Sequence, residues 1–255
     1  MEPNFKGIDV NGILHRILQF ADDTTIFMGD IAEEKYVTRA LNRWCQATGM
    51  RENMKKREGL GMGKYRGQDL GHGIKWASHD GWCISLGVPI GNDFKEAKWW
   101  GEKINKVRSI SKQWIGLKRA QYFGRNLIVQ GCFLGRLRYW LYSLGMDAKT
   151  RAVVQRDADI LWWSKEPTLE EGTAATGHAE KNKKRIKRWV AKDTAIGPRR
   201  QGGLNNMDWN IHVDAFEQRW MIRYLDPGRA SWKDMLDSFI LYDKKGNLKY
   251  PEGRS

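Results

Sequence analysis

Gln19-Phe20-Ala21-Asp22-Asp23-Thr24-Thr25-Ile26-Phe27 sets two adjacent carboxylates between short apolar runs. Ile13, Leu14, Ile17 and Leu18 lead in, and Ile26, Phe27 and Met28 follow. Apolar runs around a short polar centre predict a β-hairpin across residues 12 to 29. Aspartate suits its turn because the side chain bonds nearby backbone. Two carboxylates there cannot both be buried unpaired; they face water, a base or a cation. Hard oxygen ligands suit Mg²⁺ or Mn²⁺, and two such ions stabilise the attacking and leaving oxygens of phosphoryl transfer. The competing reading is an ordinary solvated turn.

Downstream of the hairpin, Val37, Ala40, Leu41, Trp44, Cys45 and Thr48 recur at helical spacing, which predicts a helix over 31–48 with one apolar stripe. Gly49 is its expected stop. Residues 59 to 73 hold six glycines without a P-loop or dinucleotide fingerprint, and read as a flexible loop. Residues 82 to 90 read as one short strand ended by Pro89 and Gly91.

From Asn92 the period becomes helical. Ala97, Trp100, Ile104, Val107, Ser111 and Trp114 mark one helix. Phe123, Leu127, Gln130, Leu134, Leu137, Leu141 and Leu144 mark a second, of heptad-like spacing. Asp147 is placed to cap a third that runs to about Trp163. Residues 165 to 182 read as a linker, residues 181 to 200 are dense in positive charge, and 208 to 240 are helical again, broken at Asp226-Pro227-Gly228. Strands first and helices after make an α+β chain. The expected divisions are 1–91, 92–164, a linker with the basic cluster at 165–207, and a helical segment at 208–255.

Composition narrows the partners. The chain has 255 residues, 41% of them hydrophobic, which is enough to bury a core. Lysine and arginine number 44 against 30 acidic residues, a net charge of +14, which favours a polyanion such as RNA or DNA. Cys45, Cys83 and Cys132 are scattered and form no disulfide framework, as expected of a reducing intracellular compartment, nucleus or cytoplasm. No stretch approaches the ~18 apolar residues of a membrane span, and no membrane partner is expected.

Several motifs in order resemble one family. Phe20-Ala21-Asp22-Asp23 resembles the [Tyr/Phe]-Ala-Asp-Asp hairpin of reverse transcriptases, particularly those of LINE-type (non-LTR) retrotransposons, and Gly7-Ile8-Asp9-Val10-Asn11-Gly12-Ile13 looks like the strand pair before it. Ala47-Thr48-Gly49-Met50 with Asn53 and Lys56 resembles a later palm segment, where Lys56 would act near the nucleotide phosphates. Leu86-Gly87-Val88-Pro89-Ile90 resembles the strand beside the primer grip. Trp114, Leu117, Gly124-Arg125, Leu127-Ile128 and Leu161-Trp162 follow the thumb helices, and Gly202-Gly203-Leu204 with Asp208 resembles the segment after the thumb.

The resemblance implies a partial reverse-transcriptase palm of short antiparallel strands plus a helix, then an α-helical thumb and further helices. It implies RNA-directed DNA polymerase activity in the complete enzyme, with Asp22 and Asp23 as metal ligands, Mg²⁺ or Mn²⁺ as cofactor, and an RNA template and DNA primer as partners. The family's first catalytic aspartate lies on a strand well upstream, whereas 21 residues precede Asp22. The pair is therefore expected to be an incomplete site, and the chain alone inactive. A non-catalytic nucleic-acid-binding module and a degenerate transposon remnant are the alternatives, and a group II intron maturase ranks below them. Arg125, Lys183, Lys184, Arg185, Lys187 and Arg188 are the expected phosphate contacts. Trp189, within the basic cluster, is a candidate to stack on a base, with a core anchor the more usual reading; the aromatics Tyr139 and Trp140 read as core. His72 and His79 are not expected to hold a metal, since no third ligand stands near them.

Overall fold

The computed structural model describes residues 4–10, 12–115, 121–164, 186, 188–228 and 230–241. The fold is mixed α+β and divides into two compact units: Met1–Phe94 with Asp226–Ser255, and Lys95–Leu225.

The first unit opens with two consecutive hairpins where one was expected across 12–29: Ile13 and Leu14 pair with the strand before them, Ile17 and Leu18 with the strand after the turn. Strands β1 (Ile8–Val10) and β2 (Ile13–His15) pair antiparallel, as do β3 (Ile17–Phe20) and β4 (Asp23–Ile26). Helix α1 (Glu34–Thr48) follows a 3₁₀ turn at Ile31–Glu33, which Asp30 caps by accepting the Ala32 N–H at 2.9 Å. Gly49 ends α1 in the left-handed region at φ 73°, its N–H bonded to the Cys45 carbonyl. The glycine-rich stretch carries a 3₁₀ turn at Gly63–Tyr65, flanked by the short parallel strands β5 (Glu58–Gly59) and β6 (Lys75–Trp76).

Residues 82 to 91 depart from the expected single strand. Strands β7 (Trp82–Ser85) and β8 (Val88–Gly91) form a hairpin around Leu86-Gly87, both at positive φ (49° and 75°). Two left-handed residues give the turn whose twist suits paired strands. Leucine is a poor left-handed residue, which is why the sequence hid the turn. Ser85 and Val88 close the hairpin, so Pro89 falls in the next, non-hydrogen-bonded pair opposite Ile84, where its missing N–H costs no ladder bond.

Every strand in these sheets has one partner. In this unit only Phe5 and Pro89 are buried apolar side chains among the described residues. The α1 stripe expected to be buried is half-buried at most, with Trp44 exposed. Polar clamps hold the unit instead. Buried Glu34 takes Thr38 Oγ1, lies 3.2 Å from His72 Nδ1 and is 3.7 Å from Arg57 Nη1, while Glu33 accepts the Gly7 N–H. His79 pairs with Asp80 at 3.0 Å. Both histidines thus have carboxylate partners.

The second unit holds nearly all the apolar core. In helix α2 (Glu96–Ile115), Trp100, Ile104, Val107 and Ser111 form the buried part of the stripe that their spacing predicts, while Ala97 and Trp114 are exposed. The expected second helix is not continuous. It comprises α3 (Tyr122–Ile128), a π-helical stretch (Val129–Leu134), α4 (Gly135–Arg138) and a 3₁₀ turn (Trp140–Tyr142). A Cβ on Gly135 would lie 2.7 Å from the Gln130 carbonyl oxygen, so the wide turn requires glycine there. The added residue rotates the upstream turns relative to the downstream ones. Leu134, Leu137, Leu141 and Leu144 are buried as expected, whereas Phe123 and Leu127 stand 59% and 76% exposed. Asn126, Val129 and Phe133 take the inner face in their place.

Helix α5 (Ala148–Trp163) starts at Asp147, whose carboxylate accepts the Lys149 and Thr150 N–H groups at 2.9 and 3.0 Å. Burial pushes the Asp147 carboxyl upward, but the Thr150 and Lys149 bonds outweigh it and hold it below its ordinary value. Its stabilisation is therefore complete at neutral pH and fades as pH falls from about 4 through the lowered folded value. Asp147→Ala should cost about 1 kcal/mol at pH 7, with a Tm drop of about 2–4 °C, and much less at pH 2.5. Thermal unfolding followed by circular dichroism at both pH values checks this; an equal loss at both would contradict the cap.

The residues after the undescribed stretch are not a simple linker. From 188 to 207 they pack on α3 and α5, and include the short helix α6 (Lys192–Ile196). The Asn126 and Gln130 side-chain amides donate to the Leu204 and Asn205 carbonyls, and Tyr122 Oη bonds Asn206. Gly203 permits the fold-back, because a Cβ there would meet the Gly197 carbonyl oxygen at 2.0 Å. Asp208 then receives the Asn210 and Ile211 N–H groups at the start of α7 (Trp209–Leu225). Arg151 of α5 bonds Asp214 and Glu217 of α7. Helix α8 (Ser231–Leu241) belongs to the first unit.

Candidate functional site

The turn between β3 and β4 has two residues, Ala21 and Asp22, and Asp23 opens β4 opposite Phe20. Ala21 sits at φ 52°, a conformation that costs a non-glycine residue of order 1 kcal/mol or more. Asp22 in the turn and Asp23 at the first position of β4 are both exposed. The flanking strand is exposed too, with Ile17, Leu18 and Phe20 at 49%, 55% and 66%.

As donors, the two carboxylates are of the right kind for a hard divalent cation. They are too few for a metal pair: among the described residues no group of three or more His, Cys, Asp or Glu side chains is placed to hold an ion. Adjacent carboxylates without further ligands do not fit a two-ion centre.

The turn Leu86-Gly87 lies at the end of the neighbouring hairpin. Thr25 Oγ1 of β4 and Ser85 Oγ of β7 are 3.5 Å apart, which brings the two hairpins side by side. Lys56 ends an exposed 3₁₀ turn, Met54–Lys56. Among the described residues no hydrogen bond or ion pair joins it to Asp22 or Asp23. Lys55 beside it is also exposed, whereas Arg57 turns inward to Glu52 and Glu34.

Two of the expected phosphate contacts have structural roles. Arg125 donates to the Ser164 carbonyl at the end of α5. Arg188 Nη2 lies 2.7 Å from Asp159 Oδ2. Lys183, Lys184, Arg185 and Lys187 lie outside the described residues.

The same region places aromatic rings where charge alone did not point. Trp189, expected in the core, is 64% exposed. It meets the edge of Trp163 at 6.3 Å, Trp163 stacks on Tyr122 at 5.4 Å, and Tyr122 touches Phe123 at 5.8 Å. The Arg199 guanidinium lies 5.4 Å from the Phe123 ring centre. Their sequence signal was the alternation of Trp189 with basic residues. Tyr139 is likewise exposed, although Trp140 packs edge-on against Trp99 and Trp100.

The class these observations define is an α+β chain with a hairpin-borne carboxylate pair and a strongly basic composition. No family model, curated protein or solved structure matches the chain. Among the described residues no helix is long and apolar enough to cross a membrane.

Proposed function

We propose that this chain is part of an RNA-directed DNA polymerase of the non-LTR retrotransposon kind: the palm from the Ala21-Asp22-Asp23 hairpin onward, the helical thumb and the helices that follow. The observation that carries this reading is the two-residue turn presenting Asp22 and Asp23 to solvent. The neighbouring hairpin, whose turn is Leu86-Gly87, supports it, as does the charge of +14. In the complete enzyme Mg²⁺ or Mn²⁺ would stabilise the charge of nucleotidyl transfer, on an RNA template with a DNA primer. In that enzyme Lys56 would lie near the nucleotide phosphates.

The polypeptide 1–255 alone would hold nucleic acid without chemistry. The net charge of +14 and the exposed aromatic ring of Phe123 beside Arg199 support this second, binding-only reading. Losing one ligand of a metal pair commonly removes orders of magnitude in rate. A labelled DNA primer annealed to an RNA template, incubated with Mg²⁺ or Mn²⁺ and deoxynucleotides, should remain unextended. Extension that Asp22→Ala abolishes would overturn the claim of inactivity. The chain should bind the same RNA–DNA duplex with an affinity that falls linearly in log salt. An absence of binding even at low salt would remove the nucleic-acid reading altogether.

A further inference from the structure

We propose that the exposed rings of Phe123 and Trp189, backed by Tyr122 and Trp163, form a stacking platform for the bases of a single-stranded nucleic acid. This rests on the nucleic-acid reading above and adds the strand type and the residues.

The row runs Phe123, Tyr122, Trp163, Trp189, with neighbouring ring centres 5.4 to 6.3 Å apart. Its outer members are exposed, at 59% and 64%, while Trp163 is buried at 3% and packs against Tyr122 and Trp189. A lone exposed tryptophan is ordinary on a protein surface. Two exposed rings joined through half-buried Tyr122 and buried Trp163 are a built feature. The π-helical turn at Val129–Leu134 rotates Phe123 outward, and Gly203 lets the Arg199-bearing segment fold back along α3.

The charge around the rings selects the ligand. Arg199 lies over Phe123 and Arg200 beside it is exposed, while Arg188, next to Trp189 in sequence, is held by Asp159. Trp163 Nε1 has no acceptor among the described residues. Cations interleaved with aromatic faces suit a strand with a phosphate backbone and open base faces. A duplex keeps its base faces stacked inside, so only unpaired bases can use the rings.

The test compares two labelled strands of about 12 nucleotides, within the site size of such surfaces: an oligothymidine and an abasic strand of the same backbone. Fluorescence anisotropy on the full chain should show the base-bearing strand bound about tenfold or more tightly, since stacking on one ring is commonly worth about that factor. Phe123→Ala with Trp189→Ala should abolish the difference, and Trp189→Phe should retain most of it. Binding of an RNA–DNA duplex should change less than twofold in all variants. Equal affinity of the unmodified chain for both strands would overturn the platform while leaving duplex binding, and the reading above, intact. Failure to bind any of these probes at low salt would overturn both. The two-strand comparison needs no substitution, so a poorly folding variant cannot obscure the answer.

Discussion

Arg108→Ala is expected to destabilise the helical unit by about 3–5 kcal/mol, enough to unfold a marginal domain. Arg108 on α2 and Asp157 on α5 are both buried, with side chains 2% and 6% exposed. Arg108 Nε donates to Asp157 Oδ2 at 2.7 Å, and Nη1 reaches Asn105 Oδ1 at 3.0 Å. Removing the arginine takes the 2.7 Å guanidinium from a buried carboxylate, and that lost compensation for desolvation is the main cost. Replacing both partners removes the cost along with the attraction. Arg108→Met with Asp157→Leu should therefore recover most of the loss. Urea unfolding followed by circular dichroism would measure both. A loss below 1 kcal/mol for Arg108→Ala, or no recovery in the double variant, would show that the pair does not anchor α2 to α5.

Trp100→Ala should cost a similar amount, about 3–5 kcal/mol. The side chain is fully buried, and its Nε1–H donates to the Gly145 carbonyl at 2.9 Å. Its ring meets Trp99 edge-on at 5.0 Å and 80°, and Trp140 at 6.3 Å and 83°. Alanine there opens a cavity that the surrounding rings cannot fill without leaving their rotamers, and strands the Gly145 carbonyl. Phenylalanine keeps a ring and loses the hydrogen bond, so Trp100→Phe should cost clearly less. The same unfolding measurement decides it. Equal losses for the two variants would mean that the hydrogen bond, rather than the packing, dominates.

Both effects fall in one unit because the apolar burial does. Residues 4 to 94 show their apolar strand faces to solvent and rely on clamps such as Glu34 with His72 and Arg57. With only Phe5 and Pro89 as buried apolar side chains among its described residues, that region has less apolar burial to lose. An isolated two-stranded hairpin is marginal in water, and β3 and β4 pair only with each other in a two-stranded sheet among the described residues.

Features governed by neighbouring residues were legible in the sequence. The spacing of Trp100, Ile104, Val107 and Ser111 marks the buried face of α2. Asp147 announces α5 and Gly49 ends α1. The β3–β4 hairpin could be read from Asp22-Asp23 because the turn breaks two apolar runs. In each case sterics or a hydrogen bond over a few residues fixes the backbone, and a short window contains both partners.

Other features needed the tertiary structure. Leu86 adopts a left-handed conformation against its local preference, held by the pairing of β7 with β8. The wide turn at Val129–Leu134 shifts the helical face and puts Phe123 and Leu127 in solvent, despite a heptad-like spacing that predicted burial. Arg125 and Arg188 looked like free phosphate ligands until their partners, Ser164 and Asp159, came into reach from α5 and its C-terminal end. The sequence by itself determined the start of α5 at Asp147, the end of α1 at Gly49 and the presence of a hairpin at the aspartate pair. Only the tertiary structure decided which aromatic rings face water and which cations are already committed, because those outcomes depend on contacts between residues far apart in the chain.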